Sequence, residues 1–121
     1  FSKRIGIDRG VFYGPEFTEK MNTDLSFSNK FEYADNRSNL AKLSAGRVLG
    51  VMGNHYTAAY RIQNVLAKGQ FELHPFYFNQ TFVYFGFSKK SVSQQVLARF
   101  QDAYNVINQN GVLLNIKQKY Q

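Results

Sequence analysis

The chain has no cysteine, so disulfides, zinc–thiolate sites and thiol nucleophiles are excluded, and the fold is equally at ease in a reducing or an oxidising compartment. It also lacks any apolar run near the roughly 20 residues that span a bilayer. Acidic side chains are scarce, 8 against 15 basic ones, for a formal charge of +7. Up to Ser88 the balance is ten basic to seven acidic, and beyond it five to one, so the excess leans toward the C-terminal third. No four Lys or Arg residues run together to concentrate that field, which makes the charge a bias rather than a function.

Several chemical signatures are missing as well. The two histidines, His55 and His74, stand in no HxxxH or HExxH spacing, so no metal or other cofactor is expected. There is no G-x-S-x-G. The carboxylates Asp8, Glu16, Glu19, Asp35 and Asp102 fall in first turns or solvent-facing positions where capping and solubility explain them, so no enzyme is expected. "GVFYG" lacks both the G-x-G-x-x-G spacing and a Walker lysine. "TFVYFGF" lacks the basic-Gly start of an RRM signature, so no nucleic-acid partner is expected.

What is present suits a packed core. The 121 residues are 44% hydrophobic and 17% aromatic. "KRIGID" (Lys3 to Asp8) alternates Ile5 and Ile7 with small or polar residues and breaks at Gly10, which predicts a strand and a turn. Pro15 opens a helix whose Phe17, Met21 and Leu25 recur at helical spacing, with Glu16 and Glu19 favoured by the positive end of the dipole. "LSFSNKFEYA" (Leu25 to Ala34) reads as a second strand. Asp35-Asn36 caps a helix with Leu40 and Leu43 inward and Gly46 as its stop. "RVLGVMG" (Arg47 to Gly53), apolar without alternation, reads as a central parallel strand covered on both faces. Asn54 caps a third helix carrying Ala59, Ile62 and Leu66, closed by Gly69.

This β-α-β-α-β-α order predicts an α/β parallel sheet. "FELHPFYF" (Phe71 to Phe78) and "TFVYFGF" (Thr81 to Phe87) read as further strands or extended crossings. Two helices then follow, one through Val92, Val96, Phe100, Ala103 and Ile107, the other through Leu113, Ile116 and Tyr120, with Asn110-Gly111 between them. Composition, charge and period all shift near Ser88 to Ser93. In an open parallel sheet, ligands settle beyond the carboxyl ends of the strands, where helix N-termini present free N–H groups. Three loops are expected there: 10–14, 35–38 and 53–56.

"KRIGIDRGVFYGPEF", "YADNRSNLAKLSAGRVLGVMGN" and "FGFSKKSVSQQVLARFQDAYNVINQNGVLLNIKQKY" together resemble the type 2 periplasmic solute-binding proteins, in their amino-acid-binding branch. The middle stretch is similar to that family's Y-D-S-x-x-E-x-L-x-x-L-x-x-G-R-V-D-A-V-V-x-D. The F-S-K-K-S crossing and I-x-x-K-Y finish are the most specific features, and the resemblance spans the whole chain in order. It implies a Rossmann-like parallel-sheet lobe, one of two that close like a hinged trap on a small molecule and deliver it to a membrane transporter permease or sensor. Residues 1–87 would be the second, ligand-binding lobe, and 88–121 the crossing and helices that complete the first.

With Phe1 at its start and neither methionine nor signal peptide, the chain reads as a mature portion or fragment of a periplasmic protein. The C-terminal helices would then dock elsewhere, or pair as a homo-oligomer or swapped dimer. The resemblance implies a ligand against Val11, Phe12, Tyr13, Asn36, Asn54, His55 and Tyr56. Val11 and Phe12 stand where amino-acid binders keep Gly-Thr or Gly-Ser for the ligand's carboxylate, and Asn54 stands where they keep an aspartate for its ammonium. An ordinary α-amino acid is therefore not the expected ligand. Function classes consistent with this are a transport binding module, the input domain of a membrane sensor, and a dehydratase-like enzyme, the last disfavoured because His55 has no acid/base partner on the ligand edge.

Overall fold

The computed structural model describes residues 3–120 and shows a mixed α/β chain with a small open parallel sheet. Its contacts fall into two compact units, Phe1–Gln80 and Thr81–Gln121.

In the first unit the sheet is built from β1 (Ile5–Asp8), β2 (Phe31–Ala34) and β3 (Gly50–Val51), in the order β2-β1-β3 and all parallel. Ile5 pairs with Phe31 on one side and Gly50 on the other. Alternation along β1 sends Ile5 and Ile7 to one face of the sheet and Gly6 and Asp8 to the other. On the first face α1 (Pro15–Thr23) brings Phe17 against Ile7 and Phe31, and these three buried side chains form the core, with Tyr13, Met21, Phe27 and Met52 packed around them. The Phe17 and Phe31 rings meet edge to face at 5.1 Å, a geometry that adds about 0.5–1.5 kcal/mol beyond area burial. On the opposite face lies α3 (Asn36–Ser44), whose Lys42 pairs with Glu32 of β2 at 2.7 Å. After β3 the chain enters α4 (His55–Asn64).

Start and stop signals act as the residues require. The Asp35 carboxylate accepts from the Ser38 N–H at 2.8 Å, and the Asn54 side-chain oxygen accepts from the N–H groups of Tyr56 and Thr57. At the end of α3, Gly46 takes φ 65°, its N–H bonds the Leu43 carbonyl and the Arg47 N–H bonds that of Lys42, which closes a Schellman motif.

The structure corrects several boundaries and pairings of the sequence reading, and of the strands or extended crossings expected over 71–87 it excludes the strands. Leu25 does not continue α1: Asp24 turns extended and caps a short helix, α2 (Leu25–Ser28), by accepting from the Phe27 N–H at 3.0 Å, so the second strand starts only at Phe31. Leu25 is left exposed. The central strand is β1, whereas β3 lies at an edge and pairs over two residues, Gly50 and Val51. Leu66 lies past the end of α4. Among the described residues, 71–78 and 81–87 form no strand; Pro75 removes a donor from the first stretch, and the Phe76 N–H turns onto His74 Nδ1 at 3.1 Å.

The second unit holds α5 (Gln94–Gln109), capped by Ser93, and α6 (Val112–Gln118). Gly111 turns between them at φ 82°, as the Asn-Gly stop requires. Phe100 of α5 takes Phe85 and Phe87 against its ring at 4.9 and 4.8 Å.

Candidate functional site

The candidate site is the carboxyl edge of the three strands, with β1 at the centre of the sheet. On the β3 side, pairing stops at Gly6 with Val51, so Asp8 stands beyond the last paired residue. Its carboxylate is half-buried on the α3 face, where Asn36 Nδ2 donates to Oδ2 and Asn39 Nδ2 to Oδ1, each at 2.7 Å. An i, i+3 spacing places both amides on one face of α3, above the end of β1. Asn39 is fully buried, and its Oδ1 has no hydrogen-bond partner. That oxygen fills the space over Gly6, where a β-carbon would meet it at 2.6 Å. Glycine at position 6 is thus what lets the amide reach down to Asp8.

After β1 the chain turns at Gly10, φ 75°, and Tyr13 folds back so that its hydroxyl accepts the Asp8 N–H at 2.8 Å. Burial, foremost, pushes the Tyr13 phenol above its ordinary value. Gly14, at φ 107°, precedes α1 and offers no side-chain cap. A cleft of about 300 Å³ opens at this helix start, between Tyr13 to Phe17 and Tyr77 to Gln80. Phe78 stacks edge to face on Phe17 at 5.2 Å, and the Asn79 side chain fills the space a β-carbon on Gly14 would enter.

A second grouping forms where α4 begins. His55 Nδ1 shares a hydrogen bond of 3.2 Å with the Tyr77 hydroxyl, and its ring packs against those of Tyr56 and Tyr77.

The seven residues expected at the ligand edge therefore occupy distinct places. Tyr13 and Asn36 converge on Asp8. His55 and Tyr56 sit together at the head of α4, where the Asn54 oxygen is committed to the helix cap, leaving its NH2 as the group that can face a ligand. Val11 and Phe12 are exposed, Phe12 to 69%, and present apolar surface beside the turn.

Sequence reasoning missed Asp8, which capping and solubility do not explain: it is half-buried and holds two amides. It also missed Asn39, Gly6 and the Tyr77 to Gln80 wall. The available signal was the pairing of a Gly-x-Asp strand end with an Asn-x-x-Asn helix start, which sets small and polar groups on facing surfaces. Among the described residues no group of three or more metal-ligating side chains gathers, and no helix is long and apolar enough to cross a membrane.

The chain matches no family model, no curated protein and no solved structure.

Proposed function

We propose that this chain is the ligand-binding second lobe of an extracytoplasmic solute-binding protein, a Rossmann-like lobe that holds a small organic solute at the carboxyl edge of its sheet for delivery to a membrane permease. The observation that carries this reading is the strand order β2-β1-β3. The chain leaves β1 toward β2 on one side and returns to pair β3 on the other, and open α/β sheets hold ligands at the carboxyl ends of strands where the order reverses in this way. The starts of α1, α3 and α4 follow the three strands at this edge, and Asp8 ends β1 there. The order of motifs along the chain supports the same family, and the aromatic rings of Tyr13, Phe17, Tyr77 and Phe78 in the cleft at the start of α1 suit a solute with a ring portion.

Calorimetric titration of the full-length protein with amino acids, related carboxylates and organic amines tests the proposal. Saturable heats that weaken when Asn54→Ala and Phe12→Ala are combined are expected. Saturable binding untouched by that pair would remove the site from this edge.

A further inference from the structure

We propose that Asp8 is the charged recognition group of this edge and that the solute it selects bears an organic cation, an ammonium or a guanidinium. The inference rests on the reading of the carboxyl edge as the ligand-binding face. Each Asp8 oxygen accepts one hydrogen bond, and both donors are neutral amides. A carboxylate has about four lone-pair sites, so roughly half of its acceptor capacity is open to a further donor. Among the described residues the ion pair within 4 Å is Lys42 with Glu32; Arg9 and Arg37, the cations nearest in sequence to Asp8 and Asn36, form none with Asp8. A half-buried carboxylate held this way attracts a cation and repels an anion.

The amides strengthen the selection. With Nδ2 of Asn36 turned onto Asp8, the Asn36 carbonyl oxygen points away from it and adds a second acceptor. Asn39 donates to Asp8 through Nδ2, and turning its amide over would set its oxygen against the carboxylate. The acceptor pair is thereby fixed before a ligand arrives, which saves the ordering cost of binding. The turn after β1 holds the exposed apolar Val11 and Phe12, which offer no side-chain donor to an anion there. A solute rich in donors fits that arrangement.

Half a cleft binds weakly, so the test uses a method that reads weak binding: amide chemical shifts of the ¹⁵N-labelled chain, titrated separately with propylammonium, methylguanidinium and propionate. The two cations should shift the side-chain amides of Asn36 and Asn39 and the backbone amides of Gly10 and Tyr13 along saturable curves, while propionate leaves them in place. Asp8→Asn should weaken the cation response at least tenfold, and Glu32→Gln should leave it unchanged. If Asp8→Asn loses its dispersed spectrum, the wild-type contrast between cation and propionate decides.

Three results would overturn the proposal: propionate moving the same amides as far as the cations, no movement with either cation, or an undiminished cation response in folded Asp8→Asn. Binding of propionate at the edge would remove the cation preference and leave the solute-binding reading standing. Failure of the full-length protein to bind any solute at the edge would remove both.

Discussion

The Asn39 side chain of α3 occupies the space above Gly6 of β1, its oxygen standing 2.6 Å from where a β-carbon on residue 6 would be. This close approach lets the helix ride low on the sheet and brings Asn39 Nδ2 to the Asp8 carboxylate. The helix whose first turn borders the carboxyl edge of the sheet is therefore fixed by a residue that has no side chain.

Gly6→Ala should be destabilising by about 1–3 kcal/mol, the usual cost of forcing a methyl into a filled space. Urea unfolding measures it. Because the clash is with Asn39, the penalty should shrink when Asn39→Ala is already in place, with a coupling of about 0.5–3 kcal/mol in the double-mutant cycle. Equal penalties in the two backgrounds would place the strain elsewhere.

Tyr13→Phe removes the acceptor for the Asp8 N–H and should cost about 0.5–1.5 kcal/mol near neutral pH. The phenol also titrates higher in the folded state than its ordinary 10.0, burial being the main cause. A group with a raised folded value contributes stability in full below the unfolded value and loses it as pH rises through the folded one. Wild-type stability should accordingly decline above about pH 10 in denaturant titrations, more steeply than that of Tyr13→Phe.

Asp24 and Asp35 titrate below their ordinary 3.8, foremost because the hydroxyls of Ser26 and Ser38 hydrogen-bond the charged forms. Depressed values mean stability that is present above 3.8 and lost as pH falls through the folded values. Asp24→Asn with Asp35→Asn keeps a capping oxygen at each helix but removes the titration. Acid unfolding followed by circular dichroism should show the double variant losing less stability than wild type below that pH.

Asn54→Ala removes the oxygen that serves the Tyr56 and Thr57 N–H groups and should cost about 0.5–2 kcal/mol. Hydrogen exchange should quicken in the first turn of α4, where His55 meets Tyr77. Asn54→Asp, which keeps the acceptor and adds charge at a helix start, should hold the protection.

Much of the first unit was legible because its punctuation is local. Gly10 and Pro15 set the turn and the start of α1, Asp35 and Asn54 the starts of α3 and α4, and Gly46 the end of α3. Leu25 to Ser28 misled because its alternation imitates a strand, while the decision rests with Asp24, which caps a helical turn. The place of β1 at the centre was hidden for another reason. Strand order depends on pairings between distant residues, and an apolar run such as Arg47 to Gly53 reads the same at an edge as in the middle. Asp8 was read as solvent-facing because its partners lie 28 and 31 residues away, on a helix whose height above the sheet is set by Gly6.

The most direct test of the account is calorimetric titration of the full-length protein with a small solute carrying an ammonium and an apolar group, such as propylammonium, beside propionate. Saturable heat with the amine, lost together with Asp8→Asn and reduced by Asn54→Ala with Phe12→Ala, is the expected result. Saturable binding that survives all three substitutions in folded protein would contradict the assignment of function to this edge.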